Sequence, residues 1–244
     1  MPWTILSLNT HGGVGPHRHE GKPYGLTGAL TTLIGACDPD VVVLQEAYFP
    51  DVGIGSVQEV AARETWNLAF HSFGRGVIDP WPQIRPTGEG TGEIGIAIMS
   101  PHELSESQTL PLRTAPFDPV RDRVALSVRA RRGDTELQVV GVHTTSRLPI
   151  GPPRQLKSLA RQLPGPETAA VVVGDHNLWG PAVARCLPGW IRAVKGRTWP
   201  ASAPHSQIDH ILFHQAGPLR VSSGEILEPI GSDHLPILAT LDYR

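Results

Sequence analysis

Short apolar runs rich in β-branched residues recur along the chain, each bounded by Gly, Pro or Asp and each closing on a polar residue. Runs of this length and composition predict strands. Three are plain: Thr4–Asn9, Val41–Glu46 and Val171–Asp175. They are apolar on both faces, as suits strands buried between layers, so the polar residues at their ends project from one rim of a sheet. Further strands are predicted at Ile94–Met99, Leu104–Leu110, Val124–Ala130, Leu137–His143, Ile208–Phe213 and Pro236–Leu241. Helical spacing marks Gly25–Cys37, with Leu26, Leu30, Leu33 and Ile34 on one face, and Pro153–Leu163, with Leu156, Leu159, Ala160 and Leu163. Many strands follow one another with no helix between them. That order predicts antiparallel pairing and two sheets rather than one doubly wound sheet. Gly74–Gly92, with three prolines and five glycines, reads as a loop, as do His11–Gly25, Tyr48–Gly55 and Arg197–Gln207.

Composition narrows the class. Over 244 residues, 40% are hydrophobic and 18% charged, a globular balance, and one domain spanning 1–244 is expected. No apolar run is long enough to span a bilayer, and the opening Met-Pro-Trp-Thr-Ile-Leu passes straight into a strand with no leader pattern before it. Two cysteines, Cys37 and Cys186, each in a predicted helix, make no disulfide framework, so a cytoplasmic location is expected. The net charge of −2 conceals an asymmetry. Residues 1–122 hold seven Lys/Arg against fourteen Asp/Glu, and residues 123–244 hold fourteen against nine. The balance is not that of a strongly basic nucleic-acid binder, although it allows carboxylates to gather a metal beside cations that meet an anion.

The strand ends carry the chemistry. In order they supply Asn9 with His11, then Glu46, His143, Asp175 with Asn177, Asp209, and finally Asp233 with His234. Nearly all are metal ligands or proton carriers, and their joint occurrence at strand ends points to one site. The motifs around them are Leu8-Asn9-Thr10-His11-Gly12, Leu44-Gln45-Glu46, Gly95-Ile96-Ala97-Ile98-Met99-Ser100, Val142-His143-Thr144, Gly174-Asp175-His176-Asn177, Gln207-Ile208-Asp209-His210 and Gly231-Ser232-Asp233-His234-Leu235-Pro236.

On these seven motifs, in this order and over almost the whole chain, the sequence resembles the endonuclease/exonuclease/phosphatase superfamily. The resemblance implies an α/β fold, a four-layer sandwich of two mixed β-sheets flanked by helices. It implies a phosphoesterase dependent on Mg2+, with Mn2+ a possible substitute, that breaks a P–O bond with a directly activated water. Glu46 is then the principal metal ligand, supported by Asn9, with Asp233 as a further carboxylate. Asp175 activates the water and Asn177 donates to a phosphate oxygen. His143 and His234 bind and neutralise the phosphate, Asp209 orients His234, and Asn9 and His11 also face substrate. Two positions depart from the pattern: His176 stands where the family commonly has phenylalanine and is expected to pack, and His11 stands where nucleases carry an acidic residue.

The substrate stays open at this level. A phosphodiesterase acting on nucleic acid is the first choice, a phosphatase or phosphodiesterase for inositol or lipid head groups the second, and a catalytically silent binding module the third. A zinc site through His11, His143 and His234 is a further alternative, whereas His17-x-His19 reads as solvated. Arg121, Arg123, Arg129, Arg131 and Arg132 read as the protected edge of a sheet. Trp81 and Trp199, in proline-rich loops, are candidates for stacking on substrate. No obligate protein partner is evident.

Overall fold

The computed structural model of the chain describes residues 1–13, 25–78, 82–85 and 88–244. His17, His19 and Trp81 lie outside the described residues. In chain order the first half runs β1 (Trp3–Asn9), a 3-10 turn (His11–Gly13), α1 (Thr27–Cys37), β2 (Val41–Pro50), α2 (Ser56–Arg63), β3 (Asn67–Ile78), β4 (Pro82–Ile84), β5 (Gly92–Ser100) and β6 (Glu103–Pro111). The second half runs β7 (Val124–Arg132), β8 (Thr135–His143), α3 (Gly151–Leu159), β9 (Ala170–Asp175), α4 (Gly180–Cys186), β10 (Trp190–Arg192), β11 (Asp209–His214), β12 (Leu219–Ile226) and β13 (Ile237–Tyr243).

The strands make two mixed sheets, ordered β12-β13-β1-β2-β5-β3-β4 and β10-β11-β9-β8-β7-β6. Among the described strands only β1–β2 and β8–β9 pair in parallel. Alternation along each strand explains the layering, because successive side chains point to opposite faces. In β2, Val41 and Val43 enter the core between the sheets, with Ile5, Ile96, Val128, Val173 and Ile211. Val42 and Leu44 face the other way, under Leu30 and Ile34 of α1 and Val57 and Val60 of α2. On the far side Val140, Val172 and Leu212 meet Leu156 and Leu159 of α3 and Val183 of α4. Four layers result, helix, sheet, sheet, helix, as the α/β expectation had it. Truncating a core side chain such as Leu156 to Ala should cost about 2–5 kcal/mol.

Some expectations are corrected. Gly74–Gly92 is not a plain loop, since β3 and β4 pair within it. Gly76 permits that pairing, because a Cβ there would lie 2.3 Å from the Gln83 carbonyl oxygen. The strand β7 is not an edge: it lies between β6 and β8, and Arg129 and Arg131 both pair with Glu136. Tyr48–Gly55 is strand as far as Pro50. Cys37 and Cys186 are free. No described helix is long and apolar enough to cross a membrane.

Candidate active site

Pairing register brings the strand ends together. Parallel β8 and β9 put His143 opposite Asp175, antiparallel β11 puts Asp209 opposite the same residue, and parallel β1 and β2 put Asn9 opposite Gln45. Gly174 is required on this path: its φ is +135°, and a Cβ would meet the Val142 carbonyl oxygen at 2.1 Å. A break in the β2–β5 register between Leu44 and Ala47 marks a bulge at Gln45–Glu46. Glu46 takes φ 51° there. Such a bulge re-aims a side chain without ending the pairing. The hydroxyl of Thr10 donates to the carbonyls of Gln45 and Glu46 at 2.9 and 3.1 Å and holds it. His11 and Asn177 also sit at positive φ, 50° and 46°. Left-handed backbone in residues other than Gly costs about 1–3 kcal/mol and concentrates at functional sites.

The Oδ2 atom of Asp175 is the hub. Asn9 Nδ2 lies 3.2 Å from it and 3.3 Å from Glu46 Oε1, so one amide bridges two carboxylates. His143 Nε2 lies 3.6 Å from Asp175 Oδ2 and 3.7 Å from Glu46 Oε1, and His234 Nε2 lies 3.9 Å from Asp175 Oδ2. The other carboxylate oxygen, Oδ1, accepts the Asn177 backbone N–H at 2.8 Å. On its far side the His234 ring places Nδ1 at 3.0 Å from Asp209 Oδ2. His11 Nδ1 meets Asp233 Oδ1 at 2.7 Å. His176 packs away from the site, fully buried, with Nδ1 at 2.8 Å from the Gly174 carbonyl oxygen.

Two amides are held in place by neighbours. The NH2 of Asn177 faces the Thr144 carbonyl at 2.9 Å and Asp175 Oδ2 at 3.3 Å. The oxygen of Asn9 accepts the His11 backbone N–H at 3.0 Å, which turns its NH2 rather than its oxygen toward Glu46.

Electrostatics separate the two histidines. Burial pushes His143 well below the usual imidazole range, and the charges of Arg123 and His234 push the same way. Both causes favour the neutral form of the His143 ring. Burial also works to lower His234, but the charge and hydrogen bond of Asp209, with Asp175 and Asp233 behind them, carry it up to about 10. Burial, then the neighbouring Asp209 carboxylate, raises Asp175 to about 7. Burial also raises Glu46. Asp233 goes the other way: burial would lift it, yet the His11 hydrogen bond and the His234 charge hold it low.

Two groups of donors are available to a cation. Asp175, Asp209 and His234 cluster closely enough for ligation. However, His234 is a cation held between the two carboxylates, and it opposes a second one. Glu46 and Asp175 instead share two neighbours, His143 and the Asn9 amide. That carboxylate pair fits a hard divalent ion, which prefers oxygen.

A cavity of about 590 Å³ opens over these residues, within the size range of small-ligand sites. Its walls include residues that strand-end reasoning did not single out: Phe73, Ile94, Thr145, Arg147 and Trp179. Trp179 is 55% exposed, two residues after Asn177, a position that was the available signal. Trp199 lines the same cavity with its ring 6.4 Å from His234. Arg123, expected at a sheet edge, is buried: it makes a two-point pair with Asp118 and donates to the His143 carbonyl at 3.1 Å. Its guanidinium lies 5.1 Å over the Phe73 ring.

This fold and rim of acid, amide and imidazole groups match a known class. Residues 6–234 match the model of the endonuclease/exonuclease/phosphatase family, and the chain belongs to that family of phosphoester hydrolases. No curated protein matches the chain in sequence. Among solved structures it is similar to an endonuclease/exonuclease/phosphatase from Beutenbergia cavernae, at 18% identity and TM-score 0.77, covering 99% of this chain and 72% of that one. It is similar to D. rerio TDP2 complexed with single strand DNA product, at 18% identity and TM-score 0.65, covering 99% of each chain. It is also similar to sphingomyelinase C from Streptomyces griseocarneus, at 16% identity and TM-score 0.63, covering 98% of this chain and 99% of that one. At these identities the likeness is one of fold.

Proposed function

We infer that the chain is a divalent-metal-dependent phosphodiesterase, with nucleic acid as its first substrate and Mg2+, replaceable by Mn2+, as its cofactor. The observation that carries this reading is the convergence of Asn9, His143, Asn177 and His234 on the one carboxylate of Asp175, with Glu46 joined to it through the Asn9 amide. Two free cysteines suit the reducing cytoplasm.

Glu46 would be the principal ligand for the metal, with Asp175 beside it and Asp233 as a further carboxylate. When bound, the metal polarises a phosphoryl oxygen and offsets its charge. Asp175 acts as general base, its carboxylate taking a proton from the attacking water. Asn177 fixes that carboxylate through backbone and side chain. The His234 imidazolium, braced by Asp209, meets the charge that grows on the phosphate. His143 donates a neutral hydrogen bond, and Arg123 positions it through its carbonyl. His11 and Asn9 complete the substrate-facing wall, and Trp179 and Trp199 offer ring faces to a base.

The test is reconstitution. Chelator-treated protein should be inactive on bis-p-nitrophenyl phosphate and recover with Mg2+ or Mn2+. A panel of single- and double-stranded DNA, RNA, inositol phosphates and sphingomyelin then assigns the substrate. Full activity in chelator, or recovery with Zn2+ alone, sinks the metal assignment, and turnover of sphingomyelin or inositol phosphates without any oligonucleotide sinks the nucleic-acid half.

A further inference from the structure

Six arginines outside the active site meet a carboxylate. Arg63 meets Glu59, Arg75 meets Asp51, Arg129 and Arg131 meet Glu136, Arg132 meets Asp40, and Arg220 meets Asp242. One concave patch gathers cations that meet no carboxylate among the described residues. A second cavity, about 340 Å³, is lined by Arg113, Arg154, Lys157 and Arg161 together with Ile150, Pro153 and Ser158, and no carboxylate lines it. The cations come from two separate segments. Arg113 follows β6, while Arg154, Lys157 and Arg161 recur on one side of α3 and the turn after it. None of the four joins an ion pair or a side-chain hydrogen bond among the described residues, and the Nε of Arg154 is buried without a partner. Four like charges converging on one hollow in a chain of net charge −2 repel one another unless an anion joins them.

Position gives the anion its meaning. Arg147 and Leu148 line the catalytic cavity, and Ile150 lines the cationic one. The two hollows thus flank one short stretch of chain, whose two steps from Leu148 to Ile150 span at most about 7 Å. We propose that the Arg113/Arg154/Lys157/Arg161 pocket binds a second phosphate of the substrate, one or two nucleotides from the phosphate being cleaved, and that the substrate is therefore an extended single strand. This rests on the nucleic-acid reading above. An extended strand fits better than a duplex, because the exposed Trp179 ring and Trp199 at the catalytic cavity serve unstacked bases. Arginine forks suit phosphate oxygens, and Lys157 adds a point charge.

The same rim also carries exposed apolar side chains, Phe117 at 91%, Ile150 at 59% and Leu148 at 49%. An anionic bilayer is the competing occupant, and the experiment separates it. Binding of a fluorescent single-stranded octanucleotide is measured in the Asp175→Asn background across salt concentrations, with and without Arg154→Gln/Lys157→Gln. Single-strand binding weakens with salt with a slope of about 0.7 per phosphate neutralised. The double variant should flatten that slope by about 1.4 and weaken binding at least tenfold at low salt. Arg63→Gln/Arg220→Gln, which removes the same charge from the other sheet, should leave the slope as it was. In active protein, Arg154→Gln/Lys157→Gln should lower kcat/KM for the octanucleotide at least tenfold relative to bis-p-nitrophenyl phosphate, which has no second phosphate. Hydrolysis of the nitrophenyl ester with no octanucleotide binding overturns the nucleic-acid reading and this pocket with it. Octanucleotide binding with the same slope in both double variants overturns the pocket alone. Sedimentation of the protein with phosphatidylglycerol vesicles, abolished by the Arg154/Lys157 variant while octanucleotide binding persists, gives the cations to a membrane and overturns the proposal.

Discussion

The two faces of β9 and β11 carry the same kinds of residue and do opposite things with them. Asp175 and Asp209 point to the site, and the residues next to them, His176 and His210, are buried away from it. On the site face His234 lies between two carboxylates and is raised to about 10. On the other face His176 and His210 pack edge to face, 5.1 Å between ring centroids, each with one ring nitrogen against a carbonyl oxygen and the other without a partner. Burial lowers His176 to about 4 and His210 well below its ordinary value. Burial is nearly complete in both settings. What differs is the neighbour: carboxylates reverse the effect of desolvation, whereas carbonyls only soften it.

Four substitutions sharpen this contrast, from the largest expected effect down. Asp175→Asn removes the hub of the site face and should cut kcat about 10³- to 10⁴-fold, the general-base contribution plus the loss of water positioning, with the fold intact by circular dichroism. A variant that keeps a tenth of the wild-type rate leaves the base elsewhere. Glu46→Gln should abolish Mg2+ binding in calorimetry together with turnover at ordinary Mg2+; unchanged affinity rejects it as ligand.

Asp209→Asn takes one carboxylate from His234. Its expected cost is about 10²-fold in kcat. The folded-state pKa of His234 is raised, so its interaction is fully present below about pH 6.5 and is lost as pH rises toward about 10. Without Asp209 the alkaline limb of the pH–rate profile should move toward acid, with Mg2+ affinity little changed. Combined with His234→Ala, the losses should be strongly non-additive, as for two residues acting as a unit. Simple multiplication of the single losses breaks the pair.

The smallest effect belongs to the outer face. His176→Phe should leave kcat unchanged and shift stability at pH 7 by less than about 1.5 kcal/mol, as for a swap of similar volume. Its signature is in acid. A histidine lowered to about 4 when folded favours the folded state above about pH 6.5, and that contribution is lost as pH falls toward 4, by up to roughly 3 kcal/mol. Denaturant melts between pH 4 and 7 should therefore show a flatter acid limb in His176→Phe. Equal slopes in the two proteins would mean that His176 is not held neutral.

Much of the layout was legible in the chain. Buried strands announce themselves by continuous apolar runs: β1 and β9 end on Asn9 and Asp175, and in β2 the apolar run stops at the Glu46 bulge while the strand itself continues to Pro50. Other elements left weaker traces. The helix α2 is only eight residues long, too short for a periodic signal, and β3 carries glycines at 74 and 76 that imitate a loop while permitting close approach of β4. The edge reading of β7 failed because a row of arginines looks the same whether it faces water or is matched by Glu136 across a strand pair.

The sequence by itself determined which chemical groups stand at the strand ends and that they converge on one rim, since local pattern is enough to place a residue at the end of a strand. Only the tertiary structure decided what state those groups hold. Asp209, 25 residues earlier, raises His234 against its burial, whereas burial and the charges of Arg123 and His234 all lower His143. Asn9 bridges to Asp175 across 166 residues, and Arg113 joins three cations of α3 and its turn from another segment. Protonation and charge clustering depend on distance and dielectric, and both are properties of packed neighbours that no local stretch of sequence contains.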